Sequence, residues 1–85
     1  MTDKRKLTLN QLGAGQTGTI IQVLGGKGLA TRLDAMGIRP GKKVTKVSSM
    51  LFKGPVTLRF NGAQIAIGFG MANKVVVEVE ADAPA

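Results

Sequence analysis

Asn61-Gly62 stands between two runs of alternating apolar residues, Val-Thr-Leu-Arg-Phe (56–60) and Ala-Gln-Ile-Ala-Ile (63–67). Two adjacent residues that tolerate positive φ, flanked by strand patterns, specify a hairpin with a two-residue type I′ turn. That turn leaves no freedom of register. Phe60 must face Ala63, Leu58 must face Ile65 and Val56 must face Ile67. Each pair is apolar, while Thr57, Arg59, Gln64 and Ala66 share the opposite face. A slip of one residue would turn the apolar set to solvent, so the hairpin dictates a sheet with one buried face.

The rest of the chain supplies partners for that face. β-branched runs predict further strands at about residues 17–24, 43–49 and 75–80. In the last of these, Val75, Val77 and Val79 point inward and Glu78 and Glu80 outward. Leu29, Leu33 and Met36 recur at i, i+4 and i+7, which predicts a short amphipathic helix with all three in the core. Gly37 then fits the left-handed C′ position, and Ile38 can fold back on Leu33 in a Schellman close. Pro40-Gly41 predicts a type II turn. Thr8 and Gln11 fit a capping box stapled by Leu7 and Leu12, so one helical turn is expected before Gly13. The stretch Gly-Phe-Gly-Met-Ala-Asn-Lys (68–74) reads as irregular. The expected fold class is all-β with one short helix, a small five-stranded SH3-like barrel. In 85 residues this is one domain, with an ordered core at about 7–80 and flexible ends at 1–6 and 81–85.

Gly13, Gly15 and Gly18 match Gly-x-Gly-x-x-Gly, the spacing that cradles a pyrophosphate when it opens a helix. Here Thr-Ile-Ile-Gln-Val follows, a strand pattern. The glycines are therefore read as a turn and a close backbone approach, not as a nucleotide site.

Chemistry-bearing side chains are scarce. The chain has no His, Cys, Tyr or Trp, and only five Asp or Glu. Ser48 and Ser49 lack a histidine base, and four of the five acids lie near the chain ends, so neither nucleophilic nor paired-carboxylate catalysis is expected. Scattered carboxylates likewise predict no specific transition-metal site and no cofactor. The reading is a binding module, not an enzyme. No apolar run reaches membrane-spanning length and no signal core follows the basic start, so a cytoplasmic location is expected.

Charge points to the partner. Residues 7–77 hold nine Lys or Arg against one acid, Asp34, within a formal net charge of +7. A negatively charged partner face is expected. Met50-Leu51-Phe52 cannot all face one core in an alternating strand: either at least one points outward and forms an apolar contact surface ringed by charge, or a bulge turns two of them inward. The candidate partner-binding set is therefore Lys42, Lys43, Lys46, Met50, Leu51, Phe52 and Lys53. Gly37, Pro40, Gly41, Asn61 and Gly62 are read as structural turns. An RNA- or DNA-binding small barrel is the alternative, but three Phe leave few stacking platforms, so nucleic-acid binding is expected to be at most weak and non-specific.

Leu33, Met36, Gly37, Ile38, Pro40, Gly41 and Val44 together resemble the signature L-x-x-[LM]-G-[IL]-x-P-G-x-x-[VI] of the FeoA family of ferrous iron transport proteins. The resemblance runs from Leu7 to Val79. It departs at Leu51, where the family often has proline, and in residues 68–74, where a more charged one-turn helix is usual. Related domains also occur in iron-dependent repressors. The resemblance implies an SH3-like accessory protein of iron uptake, whose partner is a membrane ferrous iron transporter with a cytosolic GTP-binding domain.

Overall fold

The computed structural model describes residues 4–49 and 54–80. Six strands run in chain order: β1 (Lys4–Thr8), β2 (Thr17–Val23), β3 (Lys43–Ser49), β4 (Val56–Phe60), β5 (Ala63–Ile67) and β6 (Val75–Glu80). Two short helices interrupt them, α1 (Gly26–Ala35) before β3 and α2 (Phe69–Ala72) before β6. One antiparallel sheet has the order β1-β6-β2-β3-β4-β5.

The hairpin has the register its turn demands, with Phe60 opposite Ala63, Leu58 opposite Ile65 and Val56 opposite Ile67. Asn61 and Gly62 sit at φ 52° and 75°, as a type I′ turn requires. Val56, Leu58 and Ile67 are buried, while Gln64 and Ala66 are exposed. Space around Gly62 is open, so a side chain there meets only the backbone penalty of positive φ. Gly62→Val should lower stability by about 1 kcal/mol or more. Thermal melting checks this, and an unshifted midpoint would show that the turn tolerates a β-branched residue.

Among the described residues the strand count is six rather than five, with two short helices rather than one. The added strand is β1. Lys4, Arg5 and Lys6 carry no apolar alternation and read as a flexible tail, yet they pair with Glu80, Val79 and Glu78 of β6. Their ladder is made by backbone groups, which polar side chains do not reveal. The added helix is the single turn Phe69–Ala72, placed where the sequence reads as irregular. Phe69 is 37% exposed at the head of that turn.

Before β2 the chain makes the expected turn. Thr8 O accepts bonds from the N–H groups of Gln11 and Leu12 at 3.0 and 3.2 Å. Only half of the capping box forms: Gln11 Oε1 accepts from Thr8 N–H at 2.9 Å, while the buried Thr8 Oγ1 has no partner among the described residues. Gly18 is the close approach inferred from sequence. A Cβ on it would lie 3.0 Å from Val77 Cβ, so the bare backbone lets β2 lie against β6. β2 then bulges between Ile20 and Gln22, which bends the strand and brings Val23 against the core.

Helix α1 closes as a Schellman motif. Ile38 N–H donates to Leu33 O and Gly37 N–H to Asp34 O, both at 2.9 Å, with Gly37 at φ 87°. Leu33 is fully buried and Leu29 packs against the core, but Met36 is 39% exposed. The helix ends before Met36 can extend the apolar stripe. Ile38, folded back and fully buried, takes the inward place instead.

Candidate partner-binding surface

Basic residues gather where the chain leaves α1 and enters β3. Lys42 N–H donates to Arg39 O at 3.2 Å with Gly41 at φ 95°, the geometry of a type II turn over Pro40-Gly41. Two further bonds fix this turn on β2: Gly41 N–H to Ile20 O and Ile20 N–H to Lys42 O, each 2.8 Å. The backbone of Lys42 is thus held, its side chain is half-buried, and that of Lys43 is exposed. Arg39 reaches Asp34 at 3.4 Å, but both side chains are about half exposed (52% and 54%). Solvent screens such a pair, which leaves Arg39 available to a partner.

An open groove of about 380 Å³ lies beside this turn, with Val23, Ala30, Ile38 and Pro40 as its apolar lining and Asp34 and Arg39 at its polar margin. Sequence reasoning missed it. The available signal was Ala30, a small residue on α1 that leaves room above Ile38. A second, smaller hollow of about 220 Å³ is polar, with Lys43 and Lys4 facing Glu78 and Glu80 across Thr17 and Thr19.

Topology redistributes the charge that the sequence presents as two separate ends. Strand β1 brings Lys4 opposite Glu80 and Lys6 opposite Glu78, and Lys4 Nζ lies 3.6 Å from Glu78 Oε1. The cations of the first strand and the acids of the last offset one another. Among the described residues, Arg39 has Asp34 beside it, and Lys43 shares its hollow with Glu78 and Glu80.

Lys46 does not belong to this surface. It is 3% exposed, and its Nζ donates to Leu12 O at 2.6 Å and Asn10 O at 3.1 Å. Its backbone adds Lys46 N–H to Gln16 O (3.0 Å) and accepts from Gly15 N–H (2.6 Å). Burial lowers the Lys46 pKa from the ordinary lysine value. Lys46 is a clasp for the 9–16 loop. That loop includes Gly13 and Gly15 of the glycine fingerprint, whose amides are turned to Gln16 Oε1 and Lys46 O rather than outward to a phosphate.

Met50, Leu51, Phe52 and Lys53 lie outside the described residues. Among the described residues no group of three or more His, Cys, Asp or Glu comes together, and no helix is long and apolar enough to cross a membrane.

In sequence, residues 7–79 match the FeoA domain family. A Methanocaldococcus jannaschii protein named as a candidate Fe(2+) transport protein A is 36% identical over 64 residues, covering 75% of this chain and 76% of the relative. A solved iron uptake regulatory protein (FeoA) has 33% identity and a TM-score of 0.78, covering 86% of this chain and 95% of its own. The FeoA of Stenotrophomonas maltophilia, solved with zinc and described as an SH3 domain protein, has a TM-score of 0.70 at 23% identity, covering 84% of this chain and 88% of its own. The last likeness speaks for the fold alone.

Proposed function

This chain belongs to the FeoA domain family, with its role in ferrous iron transport, and from that premise we propose that it is a cytoplasmic regulatory module. It binds the cytosolic, GTP-binding part of a membrane ferrous iron transporter and does not itself carry the metal. One observation carries the reading: the groove of Val23, Ala30, Ile38 and Pro40 has Arg39 at its margin, on a turn that backbone bonds hold in place and that leads directly into Lys42 and Lys43. An apolar recess beside fixed cations suits an acidic partner face with a protruding apolar side chain. The recess governs dissociation and the charges steer encounter.

The test is surface plasmon resonance against the purified GTP-binding domain. Lys42→Glu with Lys43→Glu should slow association about 3- to 10-fold at low salt and leave the melting midpoint unmoved, since both side chains extend from a backbone they do not support. The deficit should shrink as salt rises. An unchanged association rate would remove these lysines from the interface. Failure of the unmodified chain to bind at all would remove the partner.

A further inference from the structure

The two edges of the sheet are built differently. β1 presents Lys4, Arg5 and Lys6 in succession, the means by which natural edges repel another strand. β5, at the other edge, is Ala-Gln-Ile-Ala-Ile. It has no charge, no proline and no bulge against β4, and among the described residues nothing pairs with its outer side.

From this asymmetry we infer that β5 pairs, edge to edge and antiparallel, with β5 of a second copy of this chain. The type I′ turn sets the hydrogen-bonding parity. Ala63, Ile65 and Ile67 spend their backbone groups on β4, which leaves the N–H and C=O of Gln64 and Ala66 directed outward. A two-fold axis beside Ile65 then places Gln64 opposite the second copy's Ala66, and Ala66 opposite its Gln64. Each such pair exchanges both of its bonds, so the edge satisfies itself.

Side chains agree with that register. On the inner face, half-buried Ile65 meets its symmetry mate, extending the apolar row that begins at Leu58. On the outer face, the nearest cation is Arg59, opposite Gln64 within each copy. The two-fold puts the two Arg59 side chains in different cross-strand rows, so they are not opposed. Closure is equally specific. Pairing of β5 with a second copy's β1 would propagate without end and would require an edge guarded by three cations, whereas β5 with β5 closes at two.

The contact is small. Five residues of edge fall well short of the roughly 1,200 Å² of a stable interface, so the dimer is weak, with dissociation constants of about 0.1–1 mM. Because each copy carries a formal +7, screening favours the dimer and added salt should strengthen it. A complex of β5 with an acidic strand of another protein would respond in the opposite sense.

Sedimentation equilibrium over about 0.02–1 mM, at two salt concentrations, tests the pairing on the full chain. Two variants of Ala66 accompany it. Ala66→Lys introduces the guard charge that β5 lacks, and Ala66→Pro removes an outward N–H without taking a bond from β4. The unmodified chain should show a monomer–dimer equilibrium that tightens with salt, and both variants should weaken it at least about tenfold. The Lys variant, altered only on an exposed position, should melt like the parent and so stands even if the Pro variant does not fold. A chain that stays monomeric at 1 mM, a dimer that loosens with salt, or a dimer that Ala66→Lys leaves intact would each overturn the inference.

Discussion

Lys46→Met is expected to lower the melting midpoint by about 10–25 °C, a destabilisation of about 2–4 kcal/mol in a domain of this size. Methionine fills most of the lysine's volume, so the loss is not a cavity. It arises because Leu12 O and Asn10 O, which Lys46 Nζ now satisfies, stay behind without a donor. An unmet buried polar group costs far more than replacing both partners by apolar atoms would. The loop itself should loosen, and faster amide exchange at Gly15, which donates to the backbone O of residue 46, and at residue 46, which donates to Gln16 O, reports this directly.

The same residue has a signature in pH. Burial holds the folded-state pKa of Lys46 below that of the unfolded chain. Between the lowered value and the ordinary lysine value, the unfolded state binds more protons, so the stability contributed by Lys46 rises with pH across that window. The gap in stability between the parent and Lys46→Met should therefore widen from neutral toward alkaline pH. A gap that narrows would mean the ammonium is favoured by its carbonyls more than it is penalised by burial. A midpoint within a degree or two of the parent would show that Lys46 is no clasp.

Gly37→Ala is the second large effect, about 2–4 kcal/mol. Two penalties coincide at this position. Gly37 holds φ 87°, where an L side chain is strained by about 1–2 kcal/mol. Its added Cβ would also stand 2.8 Å from Phe60 Cε2, forcing the ring aside. Only the second penalty depends on Phe60. In the double variant Gly37→Ala with Phe60→Leu, the loss should fall short of the sum of the two single losses, as expected for residues in contact. Strict additivity by chemical denaturation would show that the ring yields freely and that backbone strain is the whole effect.

Much of the fold was legible because local rules act alone at particular places. The β4–β5 register follows from Asn61-Gly62, and the helix close follows from Gly37 and Ile38, without reference to any distant residue. Strand β1 was hidden because Lys4, Arg5 and Lys6 take their place from β6, more than seventy residues onward, and their side chains have no apolar period. The site was legible only in part. Lys42 and Lys43 hold the exposed turn that the sequence suggests, whereas Lys46 shares the inward parity of Val44 and lies buried. That parity was the available signal. A lysine in a strand is assigned outward by habit, although its stem can run through the core to a polar tip. The groove beside Arg39 and Pro40 was not legible, because a recess is made by what three separate segments leave empty.

The place of β6 has a consequence for how the chain comes into being. Val75, Val77 and Val79 are the final core residues made on the ribosome, yet their strand sits between β1 and β2, the first two to emerge. Until they appear, Gly18 lacks the Val77 side chain it lies against and Lys4 has no carboxylate opposite it. β1 must therefore wait unpaired, and β2 with only β3 beside it, through the translation of everything between. At the usual pace of about 5–20 residues per second, that wait lasts several seconds. During it, the charges of Lys4, Arg5 and Lys6 keep the waiting strand solvated, and the same run later guards the finished edge.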